Sequence, residues 1–419
     1  MRKLVELDDG LRLVVNENPA VRSVAAGVFV KTGSVNETPA QAGISHLIEH
    51  MVFKGTDRRS VFDVVNDIDS IGAQINAYTS KTHTCFYTLS RDAHLAECLD
   101  VLSDICLHPK FDPDDLKRER KVVLEEISEA EDTPDDICLD NLSAAFFDGH
   151  PLGNRILGTR ESLKGLTAEE LHDYRNRFYV PSNIVVSVSG NVTSDEAEKI
   201  VREKFPFAGS RAESPSKPIA TACHAGGFIH KTKRIEQAHL AFAFEGKAYN
   251  TFDNVVLHVL SAVFGLEMSS RLFQSVREKL GLCYSISGYP SSYENNGSFI
   301  IYTSVNPANV ERAVVAIRKE IDKLIAENIT EEELLKGKEQ MKTGLVLGQE
   351  STSSTMRAFG RHAITTNELY DIDSQIQSVD SVTLDDIARV AADVFDFGKM
   401  AASFVGAKTV DIASMMRNV

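Results

Sequence analysis

The stretch SLKGLTAEELHDYRNRFYVPSNIVVSVSG, residues 162–190, occurs a second time as SVDSVTLDDIARVAADVFDFGKMAASFVG, residues 378–406. The two align without a gap and pair Thr167 with Thr383, Leu171 with Ile387 and Tyr179 with Phe395. Each reads as a capped helix followed by an apolar strand. Two further matches carry the repeat through the chain. FYTLSRDAHLAECLDVLSDI, from Phe86, resembles IYTSVNPANVERAVVAIRKEI, from Ile301, and FDPDDLKRERKVVLEEI, from Phe111, resembles ITEEELLKGKEQMKTGL, from Ile329. Self-similarity at half a chain length means two homologous domains. FPFAGSRAESPSKPIATA, residues 205–222, is rich in Pro, Ser, Gly and Ala and reads as the linker, which sets the domains at 1–208 and 223–419 with 209–222 between them. Each half mixes amphipathic helices with alternating strands. This predicts an α+β fold in which a mainly antiparallel sheet carries helices on one face.

At 419 residues the chain has ample apolar area for two cores. Its six cysteines, Cys85, Cys98, Cys106, Cys138, Cys223 and Cys283, form no Cys-x-x-Cys pair and no framework spacing, so buried free thiols in a reducing, cytoplasmic compartment are expected. The first residues, MRKLVELDDGLRLVVNE, alternate about Asp9-Gly10 as a hairpin does, and contain no signal-peptide core. No stretch is long enough to cross a membrane. The sequons at Asn36 and Asn296 are therefore read as chance matches. A net charge of −15 argues against a nucleic-acid partner; it suits basic ligands, and equally a well-solvated acidic surface.

GISHLIEHMVFKGT, residues 43–56, is the stretch that carries chemistry. On a helix His46, Glu49 and His50 share one face while Leu47, Ile48, Met51 and Val52 turn to the core. Two imidazoles at i and i+4 can hold one metal ion, and the glutamate beside them can reach a water on it. Chance produces such a cluster on the order of a few times per hundred chains, so the motif does not decide the matter alone. The repeat provides a test, because a site used by one half should be degenerate in the other. After Asp112-Pro113, a helix start, Glu119 and Glu126 lie seven residues apart on one face; their counterparts are Gly337 and Gly344. The region answering to the histidine helix, around HVLSAVFG from His258, lacks the glutamate and the second histidine. Glu119 and Glu126 also read as a solvated acidic face, given Glu125, Glu129 and Glu131 beside them.

His46-x-x-Glu49-His50 followed by Glu126 after 75 intervening residues resembles the inverted zinc motif of the pitrilysin, insulin-degrading and mitochondrial processing peptidase family. The resemblance extends over nearly the whole chain, through the two-domain repeat, FKGT after the motif and GAQINAYTSKTHTCFY (72–87), and points to the short two-domain processing proteases of bacterial type. It implies a zinc endopeptidase with one Zn²⁺ per chain, held by His46, His50 and Glu126. Glu49 is implied as the base that activates a zinc-held water, and Glu119 as a carboxylate orienting the site. An arginine and a tyrosine seven apart in the second domain match Arg277 and Tyr284 in SSRLFQSVREKLGLCYS. Substrate is expected to add to the strand at Asn76, Ala77, Tyr78 and Thr79 by main-chain hydrogen bonds. Larger members join four such domains around a chamber, so two imply a homodimer. The acidic run from Glu125 hints at basic, presequence-like peptides or is simply solvated. The alternative function is a non-catalytic core or partner subunit of the same fold. The substrate and the identity of the divalent metal stay open.

Overall fold

The computed structural model describes residues 1–207, 214–224 and 226–419. The opening hairpin forms as its alternation predicts. Strands β1 (Arg2–Glu6) and β2 (Arg12–Glu17) pair antiparallel, and Gly10 takes a φ of +93°, which a side chain would resist. With β3 (Ser23–Val30), β4 (Gln74–Thr79), β5 (Thr84–Arg91) and β6 (Ile184–Gly190) they build a six-stranded sheet in the order β1-β2-β6-β3-β5-β4. Only β2 and β6 run parallel. A second sheet contains β7 (Phe228–Thr232), β8 (Ala238–Glu245), β9 (Cys283–Ser292), β10 (Gly297–Val305) and β11 (Ala401–Gly406) in the order β7-β11-β8-β10-β9. Here too one pair is parallel, β7 with β11. The repeat is thus visible in topology: β2, β6, β3, β5 and β4 of one sheet correspond to β7, β11, β8, β10 and β9 of the other.

The repeated stretches fold alike. Thr167 and Thr383 each accept a hydrogen bond from the amide three residues on, and Glu170 and Asp386 reach back to the cap amides, closing two capping boxes. The helices Ala168–Phe178 and Leu384–Val394 then lead into β6 and β11.

Two compact units result, Met1–Ile127 with Asn154–Lys217 and Val346–Asp371, and Ser128–Gly153 with Pro218–Leu345 and Ile372–Val419. These bounds differ from 1–208 and 223–419 because each half of the chain gives one helix to the other half's sheet. Pro134–Phe146 packs on β7, β8 and β11; Thr352–Thr366 packs on β2, β3 and β6. The two helices begin 218 residues apart, the spacing that also relates Glu119 to Gly337, so the exchange is reciprocal between equivalent elements. Of the expected linker 209–222, residues 209–213 lie outside the described residues.

The mixed α+β class is as expected, but helices are not confined to one face. On the first sheet Leu13, Val15, Val28, Val30 and Phe86 join one core with Leu47, Leu99 and Leu102, whereas Val14, Phe29, Cys85 and Val185, the alternate residues, join another with Met356, Phe359 and Ala363. Both faces are apolar, so both demand cover. Arg12, buried, ties the covering helix down: it donates to the carbonyls of Ala363 (3.3 Å) and Ser182 (3.4 Å) and to Asn367 Oδ1.

The thiols are free; Cys85, Cys98, Cys106 and Cys138 are buried, Cys283 is half-buried, and Cys223 is exposed, contrary to expectation, on a segment without regular structure. Asn296 is buried and bonded to Ala220 and Ala222, which suits a chance sequon. Among the described residues no helix is long and apolar enough to cross a membrane.

Gly360 tests the exchanged helix. An added Cβ there would overlap the ring of Phe29, which is 0% exposed. Overpacking costs about 1–3 kcal/mol, against the ~1 kcal/mol that Ala gains over Gly inside a helix. Gly360→Ala should therefore lower the thermal midpoint. A raised midpoint would contradict this packing.

Candidate metal centre

The helix Ile44–Met51 buries Ile44, Leu47, Ile48 and Met51 against β4 and β5, and this leaves His46, Glu49 and His50 on its half-exposed face. Its start is fixed by a carboxylate nine residues before His46. Glu37, 7% exposed, accepts hydrogen bonds from the amides of Gly43 (2.7 Å) and Ser45 (2.9 Å). A negative charge at those unpaired amides is favourable, although burial pushes the Glu37 carboxyl up against those bonds. Gly43 is needed there, since its φ is +90° and a Cβ would come within 2.7 Å of Leu157 O. Ser45 Oγ is fixed in turn by Tyr174 Oη at 3.0 Å, and Tyr174 by Thr32 Oγ1 at 2.8 Å.

Opposite lies the helix Pro113–Asp132, started by Asp112, whose Oδ1 accepts from the amides of Asp114 and Asp115 at 2.8 and 3.2 Å. It presents Glu119 and Glu126 to the histidines. Glu126 Oε2 is 3.7 Å from His46 Nε2, and its Oε1 is 3.5 Å from His50 Nε2. One ligand atom from each of the three residues lies within 4.8 Å of the others, the one such set of three among the described residues.

These residues fit a divalent cation. Four donors bonded to zinc at 2.0–2.1 Å in a tetrahedron stand about 3.3 Å apart, close to the 3.7 and 3.5 Å between Glu126 and the two imidazoles. Burial, reinforced by His50, pulls His46 down to about 4, so its ring is neutral and keeps a lone pair for a metal. His50 Nδ1 is 3.2 Å from Glu119 Oε2, which directs Nε2 toward Glu126. Lys54 Nζ holds Glu119 Oε1 at 2.8 Å. His46 has no equivalent support: its buried Nδ1 lacks a hydrogen bond among the described residues.

Glu49 lies outside that set of three. Its Oε2 accepts from Thr79 Oγ1 at 2.5 Å, and burial pushes its carboxyl above the ordinary range.

The second half has a packing reason for one of its two glycines; the other, Gly344, has open space where a Cβ would stand. Gly337, the counterpart of Glu119, lies against Val259 and Val263, where a Cβ would come within 2.7 Å of Val263 Cγ2. Arg277 and Tyr284 lie in the second unit and are brought together there. The Arg277 guanidinium sits 4.4 Å from the centre of the Phe273 ring and 5.1 Å from that of Tyr284, which is 78% exposed at the start of β9. β4 is an edge strand, paired among the described residues only with β5; Asn76 is exposed, and Ala77, Tyr78 and Thr79 are half-buried.

Sequence reading missed Glu37 and Lys54. Lys54 lies three residues past the end of the helix, on the turn that follows it, and so stands outside its i, i+4 pattern. Glu37 had no local signal, being separated from its helix by an irregular loop.

The comparisons agree with this architecture. Residues 12–160 match the family described as Insulinase (Peptidase family M16), and residues 165–341 match Peptidase M16 inactive domain. The uncharacterized zinc protease YmxG of Bacillus subtilis is 41% identical over 94% of this chain and 96% of its own. The uncharacterized zinc protease SCO5738 of Streptomyces coelicolor is 34% identical over 93% and 86%. In fold, a protease from Helicobacter pylori superposes with a TM-score of 0.91 at 22% identity, over 97% of this chain and 99% of that one. The chain belongs to the insulinase family, peptidase family M16, and is a zinc metalloprotease.

Proposed function

We propose that this protein is a zinc endopeptidase in which His46, His50 and Glu126 hold one zinc ion per chain and Glu49 is the general base. The observation that carries the reading is the meeting of two imidazoles and one carboxylate, with a separately held glutamate beside them, in one half of a duplicated chain. Zinc, when bound, supplies a Lewis acid that acidifies water and polarises a peptide carbonyl. Glu49 takes the proton from the attacking water and can return it to the departing amine. Glu119, neutralised by Lys54, orients His50. The free edge of β4 supports substrate addition as an extended strand at Asn76, Ala77, Tyr78 and Thr79, with main-chain bonds providing affinity that is nearly blind to sequence. Peptides and presequence-like segments are the substrate class. The intact set counts against the non-catalytic subunit.

The second domain completes the chamber in a twofold homodimer, and Arg277 and Tyr284 serve the partner's site, Tyr284 as a donor to the developing oxyanion. The four buried free thiols support a reducing compartment such as the cytoplasm.

Three measurements test the parts. Glu49→Gln should keep stoichiometric metal and lose at least about a hundredfold in rate, while Glu126→Gln loses metal as well; equal metal loss in both, by elemental analysis, would refute the roles. Chelation should abolish activity, with recovery in Zn²⁺, and leave the fold intact because neither core depends on one ion; an unfolding transition by circular dichroism would make the site structural. Finally, coexpressed Glu49→Gln and Tyr284→Phe, each inactive as a homodimer, should regain about a quarter of wild-type activity, since random assembly makes half the dimers mixed with one intact site each. A verified heterodimer without activity would rule out the shared site.

A further inference from the structure

We propose that Thr79 is a positioning residue for Glu49: its hydroxyl holds Oε2 of the carboxylate and thereby leaves Oε1 as the oxygen that takes the proton. The proposal rests on Glu49 being the general base. It goes beyond strand addition, which asks only for the main chain of β4.

Alternation along β4 sends the side chains two ways. Ile75 and Ala77 pack on the core that contains the metal-site helix, while Tyr78 packs on the opposite cluster with Tyr87, so Thr79 faces the helix. There Oγ1 donates to Glu49 Oε2 at 2.5 Å. Thr79 is paired in register with Thr84, and their hydroxyl oxygens are 3.5 Å apart. The Thr84 proton is committed elsewhere, to the carbonyl of Thr32 at 3.0 Å. A threonine hydroxyl has one proton, and at Thr79 it goes to Glu49.

The donor is also held in place. Immediately after Thr79 the turn to β5 is bolted from within and without. Ser80 N donates to His83 O at 2.8 Å, Ser80 Oγ accepts from His83 N at 3.0 Å, Val35 N donates to Lys81 O at 3.0 Å, and Lys81 Nζ donates to Asn154 O at 2.5 Å. A hydroxyl on so fixed a backbone defines where Oε2 must be, which is the condition for a preorganised base. The hydrogen bonds of the Thr79 hydroxyl among the described residues go to Glu49 and Thr84, not to His46, His50 or Glu126.

The test compares three variants of the full-length protein loaded with zinc. Thr79→Val keeps the shape and removes the donor, Thr79→Ser keeps the donor, and Thr79→Ala removes both, serving also if the valine variant fails to fold. On a quenched peptide substrate, Val and Ala should lower kcat by about 10- to 100-fold, the scale of misplacing a reacting group by an ångström, with KM changed less than about threefold because the main chain of β4 is intact. Ser should stay within about threefold of wild type. Zinc content and thermal midpoint should not separate the variants. On a Glu49→Gln background the Val substitution should add no further loss, since it acts only through Glu49. Val and Ala within twofold of wild-type kcat, Ser as damaged as Val, or zinc lost from Val would each overturn the assignment. If Glu49→Gln itself retains kcat, the base reading fails; if Glu49→Gln is dead and Thr79→Val is not, Thr79 alone fails.

Discussion

Everything at the metal centre depends on the burial of one helical stripe. Ile44, Leu47, Ile48 and Met51 are fully shielded from solvent, and an eight-residue helix anchored by four such side chains has no freedom to rotate. Each buried side chain of this size contributes about 1.5–3 kcal/mol, so the four together outweigh any single polar contact on the other face. The imidazoles and Glu49 point where they do because the apolar face leaves them nowhere else. Glu37 at the start and Thr79 beside Glu49 then refine position by hydrogen bonds, which are modest in energy and strict in geometry.

The centre gathers like charges, and its construction answers that problem. Glu49, Glu119 and Glu126 bring three carboxylates beside two imidazoles, and His46 is held neutral by burial. Lys54 offsets one carboxylate at 2.8 Å, and a divalent ion held by the set would offset two more. In the duplicated half the same scaffold carries Gly337 and Gly344; close packing against Val259 and Val263 takes the place of the side chain at Gly337, while Gly344 lies in open space. One copy carries the histidines and carboxylates; the other keeps the architecture without them.

Local signals were legible in sequence. The hairpin about Gly10, the capping boxes at Thr167 and Thr383 and the histidine spacing all act within a few residues, and the structure has each of them; the break in the repeat at Glu119 and Glu126 was legible because the two halves could be laid side by side. Recognition of Arg277 and Tyr284 came from family likeness alone; their stacking depends on a helical segment, Phe273–Lys279, that no periodicity announces. The reciprocal exchange of Pro134–Phe146 and Thr352–Thr366 was invisible for a different reason. Both are ordinary amphipathic helices, and which sheet covers an apolar stripe is decided by long-range packing, not by the stripe. Glu37 belongs to the same class: its partners are backbone amides beyond a loop, and backbone amides leave no mark on sequence.

The central claim is that one half of this duplicated chain holds zinc through His46, His50 and Glu126. Anomalous diffraction at the zinc edge from crystals of the zinc-loaded protein tests it most directly. The account predicts one strong peak per chain within about 2.0–2.2 Å of a nitrogen of His46, a nitrogen of His50 and a carboxylate oxygen of Glu126. A fully loaded crystal with its peak elsewhere, or with Glu49 in place of Glu126 among the ligands, would contradict it.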